Sequence, residues 1–443
     1  MRNLLNSFIY LALSYGFLNN TVIAQEQYEI PLNVTIGRTK TLVGFQPCEP
    51  SIAVSQKDPD IIVAGSILDN VYRSKDGGLT WTSKTLKSPF GVFGDPCVVS
   101  SPNGDFYYFH LSDPEGKGWR SELLLDRIVC QHSSSKGKRW SKGGSIGLDH
   151  PKDQDKEWAV VSPDGKRIHA CWTQFDKYNS HEEGDSTIIL CSFAERNGDN
   201  WSPPVRISEK SGNCLDGDAT TEGAVPSMGP NGELYVAWAL NETIWFDRSM
   251  DGGETWLTHD IDASDIIGGW DQNVEFIGRV NGMPVTGVDV STASKYYGRI
   301  YINWTDERNG ESDLDVFVCY SDDNGDSWSE PIRVNNDGPG KQQFFTWMSV
   351  DPINGGVHVV FYDRRNHDDS STDVYVASSF DGGISWTNRL VSESPFNPEG
   401  KVFFGDYNNI SAVNGRIRPI WTREVDGYLT IKTAILDLQD TTE

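Results

Sequence analysis

Apolar and polar positions alternate with period two at Tyr28, Ile30, Leu32, Val34 and Ile36, which predicts a strand with one buried face. Further along, short apolar runs are each led in by a glycine. Gly104 precedes Phe106-Tyr107-Tyr108, Gly232 precedes Leu234-Tyr235-Val236, and Gly298 precedes Ile300-Tyr301-Ile302. Gly165, Gly356 and Gly415 open similar runs. Each reads as a hairpin that delivers the second strand of a unit. The matching first strands fall near 50–54, 96–99, 158–161, 223–226, 284–288, 347–350 and 407–412. Seven first strands predict seven four-stranded units, with six as the alternative. No helical period, linker or low-complexity stretch interrupts them, so residues 25–443 read as one all-β domain.

A second pattern sits between these runs. Ser249-Met250-Asp251-Gly252-Gly253-Glu254-Thr255-Trp256 returns as Ser74 to Trp81, Ser321 to Trp328 and Ser379 to Trp386. Two worn copies, Ser133 to Trp140 and Ala194 to Trp201, keep the glycine and the tryptophan. Asp followed by Gly-Gly or Asn-Gly is hairpin chemistry: the carboxylate caps nearby backbone amides and glycine accepts positive φ. The tryptophan then opens the next strand with a large apolar face. Repetition over most of the chain marks a repeat architecture.

These octets resemble the Asp-box (S-x-D-x-G-x-[ST]-W) of the sialidase superfamily. The resemblance implies a single β-propeller with the Asp-boxes in the C–D turns, away from any active site. Seven first strands but six boxes imply that the N-terminal strand fills the outermost place of the seventh blade and closes the ring. Sialidases themselves have six blades.

Propeller topology puts the D–A and B–C loops on the opposite face, where function is expected. Glu49, Asp95, Asp155, Glu157, Glu222, Asp406 and Tyr407 stand at the first-strand entrances. Asp69, Asp306, Arg308, Asp363, Arg364, Arg365 and Arg423 stand at second-strand exits, and Trp270 and Arg279 in the long loop before the fifth first strand. Carboxyls gathered at one mouth can act as general acid and base. Arginines along one arc can grip an anionic group bidentately. By resemblance, Tyr407-Asn408-Asn409-Ile410 matches the sialidase nucleophile segment, Glu222 its base and Asp69 its acid/base. These three are the candidate catalysts. Arg279, Arg308, Arg364, Arg365, Arg423, Glu49, Asp95, Glu157 and Trp270 are the candidate substrate-binding residues. The family's first arginine motif is replaced by Pro47-Cys48-Glu49-Pro50, with Cys48 where the arginine would stand.

Charge changes the picture of partners. Lys+Arg 38 against Asp+Glu 63 gives net −25, which argues against nucleic acid and anionic membrane. Met1 to Ala24 reads as a signal peptide, with Arg2, an apolar run and a Val22-Ile23-Ala24 cleavage site. It predicts a secreted or periplasmic protein with no membrane span. Seven cysteines in a chain of this length do not indicate a disulfide scaffold. Cys171 and Cys191 could face each other, with buried thiols the favoured reading. No cofactor is expected. Calcium is the one ion that the loop of His367, Asp368, Asp369 and Asp373 would admit, though without a trusted spacing.

The leading functional expectation is a sialidase-like glycoside hydrolase acting on an acidic or decorated glycan. The alternatives are a polysaccharide lyase using a tyrosine or a histidine such as His150 or His181, and a non-catalytic carbohydrate-binding or scaffold propeller.

Overall fold

The computed structural model describes residues 29–38, 47–398 and 403–438. The leader expected at Met1–Ala24, and Tyr28 at the start of the first expected strand, lie outside the described residues. Among the described residues the backbone forms seven four-stranded antiparallel sheets and one two-stranded hairpin. The innermost strands are Ser51–Val54, Cys97–Ser100, Asp153–Val161, Glu222–Met228, Val285–Val288, Gln343–Val350 and Asn409–Val413, one for each of blades 1 to 7.

The second strands explain why alternation is weak in mid-blade. Phe106–Leu111, Leu234–Leu240, Ile300–Asp306 and Val357–Asp363 are buried at every residue. Each face of a blade meets a neighbouring blade. Phe106 and Tyr108 pack with blade 1, and Tyr107 and Phe109 pack on the side of blade 3. Burial on both faces therefore selects a continuous apolar run.

The Asp-boxes occupy the C–D turns. In blade 4, Ser249 Oγ accepts the Gly253 amide at 2.8 Å and donates to Asp251 Oδ1 at 2.7 Å. Asp251 in turn accepts the Thr255 amide at 2.8 Å and the Thr255 hydroxyl at 2.6 Å. Asp76, Asp323 and Asp381 make the same bonds in their own turns. The tryptophans are half-buried and lean on a neighbouring layer, as Trp328 does on Phe246 at 5.0 Å.

The ring closes as the sequence predicts. Leu32–Arg38 pairs antiparallel with Tyr428–Asp437 and forms the outer strand of blade 7. Asn33 Nδ2 donates to the Val391 carbonyl at 2.7 Å, tying this strand to blade 6. On the inner side, Asn409 Oδ1 accepts the Ile52 amide at 3.2 Å, joining blade 7 to blade 1.

Two cysteines depart from the favoured reading. Cys171 and Cys191 are directly opposed on the second and third strands of blade 3 and form a disulfide, with Cα atoms 4.2 Å apart. The pairing register places them face to face.

Candidate active site

The mouth is built from a repeated distortion of the inner strands. Residues two before the first regular pair of each strand include Glu49, Asp95, Lys156 and Phe345, with φ between 49° and 52°. Gly223 holds the same place in blade 4 with φ 80°. In blades 3, 4 and 6 the register shifts at this point, which is a β-bulge. A bulge re-aims a side chain. Non-glycine residues in the left-handed region cost of order 1 kcal/mol each and gather at functional sites.

The re-aimed side chains meet insertions from other loops. The hairpin of Asp271–Gln272 and Val280–Asn281 brings Arg279 across the mouth. Asn281 Nδ2 donates to the Asp406 carbonyl at 2.7 Å and fixes that hairpin to blade 7. The B–C loops of blades 2 and 3 supply Trp119 and Tyr178. Together with Glu49, Phe93, Asp95, Asp155, Lys156, Phe403 and Asp406 they line a cavity of about 200 Å³. Trp119 is 61% exposed at its rim and packs on Phe93 and Tyr178, with ring centroids 5.9 and 5.4 Å away.

Ion pairs hold the floor. The Lys156 ammonium pairs with Asp406 Oδ2 and lies 3.7 Å from Asp95 Oδ2. Arg279 Nε lies 3.0 Å from Asp406 Oδ1. The other end of Arg279 grips Asp216 bidentately, at 2.6 and 2.9 Å, and Asp216 accepts the Tyr178 hydroxyl.

This arrangement separates the carboxyls. Burial pushes Asp155 up to about 7, helped by the charges of Asp95 and Asp216 against Lys156. Burial also raises Asp95, and raises Glu49, Glu157 and Glu222 strongly. Asp406 feels the same burial, but Arg279 and Lys156 outweigh it and hold the carboxyl below its ordinary range. Lys156 is kept charged because Asp406 and Asp95 outweigh its own burial.

The expected site residues divide. Arg279, Glu49 and Asp95 line the cavity, and Glu157 is buried beneath it with neither carboxyl oxygen hydrogen-bonded among the described residues. Tyr407 and Glu222 do not form the expected pair. The Tyr407 hydroxyl donates to the Pro96 carbonyl at 3.4 Å, and its ring packs on Trp158 at 5.0 Å. Both Glu222 carboxyl oxygens are buried without a hydrogen-bond partner among the described residues. Burial raises the Tyr407 phenol strongly, so it is a neutral wedge beside the channel. Asp69 is half-buried in the B–C turn of blade 1 and is not among the cavity's lining side chains.

The arginine arc is also corrected. Arg308 folds back onto Asp306 at 2.8 Å, two residues away, and lies over Phe317. Arg365 does the same with Asp363 at 2.8 Å. Arg364 donates to the Glu275 carbonyl, and Arg423 to Ser394 and the Pro395 carbonyl. Arg308 and Arg365 are tied to aspartates of their own loops and Arg364 to the hairpin that carries Glu275, while Arg423 keeps its buried Nε without a hydrogen-bond partner among the described residues, so the four are engaged at separate places. Trp270 is fully buried in the core between blades 4 and 5. The acidic loop takes protein donors: Lys341 on Asp368, the Ser371 amide on Asp369, and His367 on Asp373. Among the described residues no group of three or more His, Cys, Asp or Glu is placed to hold a metal.

Lys156, Tyr178, Asp216 and Trp119 were not singled out from sequence. The one available signal for Lys156 was its place between two carboxyls in Asp155-Lys156-Glu157.

No protein-family model matches the chain. Among solved structures it is similar to a polysaccharide lyase, the PL25 ulvan lyase bound to -[GlcA(1-4)Rha3S]-. The identity is 12%, covering 90% of this chain and 96% of that one, with a TM-score of 0.53. It is similar to a protein of unknown function from Dyadobacter fermentans at 13% identity, covering 93% and 99%, with a TM-score of 0.50. A Hadza microbial sialidase, Hz136, matches at 14% identity over 85% of this chain and 73% of its own, with a TM-score of 0.48. What the chain shares with the lyase and the Dyadobacter protein is the fold, and its own described residues build that fold as a seven-bladed β-propeller.

Proposed function

We propose that this chain is an exported glycoside hydrolase acting on a decorated glycan at the mouth of the propeller. One observation carries the reading: Asp155 and Asp406 line the same aromatic-walled cavity, the first pushed up to about 7 and the second held ionised. Carboxyls whose environments drive them apart are the acid and the charge-stabilising partner of glycoside hydrolysis. Asp155 protonates the glycosidic oxygen as its bond to the anomeric carbon breaks. Asp406 stabilises the positive charge left on that carbon. Water then adds, and its proton returns to Asp155. A group titrating near neutral pH suits both halves of this exchange. Trp119 offers a face on which a sugar ring stacks. This mechanism replaces the tyrosine–glutamate pair expected from the sialidase resemblance.

The anionic preference loses its basis with the arginine arc. The lyase reading keeps one observation, the Tyr178 hydroxyl held by Asp216 beside Arg279, and one relative in fold, the ulvan lyase. Against it, burial raises the Tyr178 phenol, so the phenolate that would take the proton is scarcely populated at neutral pH. The lyase candidates His150 and His181 are exposed and outside the cavity lining.

The test is a panel of neutral, amino and uronic polysaccharides incubated with the purified protein. Reducing ends that appear, and vanish in Asp155→Asn and Asp406→Asn, support hydrolysis. An ultraviolet-absorbing unsaturated uronate would instead establish the lyase. Absence of any product across the panel would overturn the enzymatic reading.

A further inference from the structure

We infer that the cavity is shaped for a sugar ring bearing a protonated amine, a compact organic cation. The inference rests on the reading of this cavity as a glycan site. Four carboxyls line it, Glu49, Asp95, Asp155 and Asp406, against two cations, Lys156 and Arg279. Both cations are already engaged, Lys156 by Asp406 and Asp95, and Arg279 by Asp406 and Asp216. An incoming carboxylate or sulfate would have to break a buried ion pair to find a partner, and buried pairs resist that. An ammonium meets the opposite situation.

Asp406 is 3% exposed and lines the cavity, yet its Oδ1 accepts no hydrogen bond among the described residues. Arg279 Nε is 3.0 Å away but out of line. An ammonium that enters beside Arg279 would share that oxygen with it, and the Glu49 and Asp95 carboxyls lining the cavity supply its further acceptors. The remaining wall is aromatic, from Phe93, Trp119 and Tyr178, and ring faces attract cations. A volume of about 200 Å³ leaves room for a single ring and its substituents.

The charge balance predicts a pH dependence. Glu49, Asp95, Asp155, Asp406, Lys156, Arg279 and Tyr178 face the cavity, with Asp216, Glu157 and Cys48 behind them. Glu49, Asp95 and Asp155 are all raised, chiefly by burial. They hold protons in the empty cavity at mildly acid pH, and an ammonium displaces those protons. Its affinity therefore rises as the pH is raised towards neutral.

Isothermal titration of the full chain with glucosamine, glucose, N-acetylglucosamine and ethanolamine tests this. Glucosamine is expected to bind at least about tenfold tighter than either neutral sugar. That preference should shrink from about pH 7.5 to about pH 5. Asp95→Asn should bring glucosamine down to the level of glucose. Equal affinities, a preference for the neutral sugars or no binding by glucosamine would overturn the inference. Ethanolamine binding as tightly as glucosamine would overturn its sugar part. Hydrolysis of neutral glycans without amine preference would remove this inference and leave the hydrolase reading standing. Amine preference without hydrolysis would do the reverse.

Discussion

Asp155 draws its chemistry from where the chain puts it. It sits at a bulge, its Oδ1 accepts the Lys156 amide at 2.8 Å, and burial lifts it to about 7. Such a carboxyl binds a proton in the folded protein that the unfolded chain has already lost. Between about pH 4 and pH 7 its contribution therefore destabilises the fold increasingly as pH rises. Asp155→Asn removes that penalty. We expect the variant to be more stable than the parent by roughly 1–2 kcal/mol above neutral pH, with little difference near pH 4. Its turnover should drop by about 10²–10⁴-fold. Thermal unfolding at both ends of the range, beside a rate assay, checks the pair of effects; equal stability at pH 8 would mean that the carboxyl is not raised. Tyr407→Phe should behave oppositely. It loses one bond to the Pro96 carbonyl, a cost of about 1 kcal/mol, and turnover should stay near that of the parent. A loss of several orders of magnitude would restore the sialidase-like nucleophile.

At the scale of the element, the Asp-box is a self-contained turn. Asp251 closes it through the Thr255 amide and hydroxyl, and these bonds hold its carboxyl down to about 2. Asp251→Ala should cost about 1–3 kcal/mol in chemical denaturation and leave cavity binding unchanged, because the turn lies on the opposite face. Altered ligand affinity in the folded variant would show that the two faces communicate. Trp256 is half-buried rather than enclosed, so its truncation should cost less than the 3–5 kcal/mol typical of a fully buried tryptophan.

Across the whole molecule, stability depends on closing the ring. The strand Leu32–Arg38 covers the edge of Tyr428–Asp437 and reaches blade 6 through Asn33. Removing residues through Arg38 exposes that edge and cuts the outer tie of blade 7 to blade 6, leaving its inner contacts. We expect the melting temperature to fall by on the order of 10 °C and the truncated chain to self-associate through the open edge. Calorimetry and light scattering read both effects. A truncated chain that melts like the parent and stays monomeric would show that blade 7 is held by its inner contacts alone.

The elements were legible because their causes are local. Gly232 before Leu234-Tyr235-Val236 and Ser249 to Trp256 carry their turns in their own side chains, and a continuous apolar run follows from burial on both faces of a blade. The strand at residues 32–38 was legible as the missing seventh of a count: seven inner strands with six Asp-boxes left one outer place empty. Half of the mouth was legible too, since Glu49, Asp95, Asp155 and Asp406 stand at entrances that topology directs to one face. What decided their roles was contact across the axis. Arg308 could be seen to leave a second strand, but not to turn back on Asp306 two residues before it. Arg279 looks no different in sequence, yet its hairpin carries it onto Asp406 and Asp216. Lys156 reads as a surface residue until the ring brings Asp406, 250 residues later, against its ammonium. Local sequence determines turns and strands because their hydrogen bonds span a few residues. Partners across a closed ring, and the proton each carboxyl keeps, are set by burial and charge that exist only once the seven blades have met.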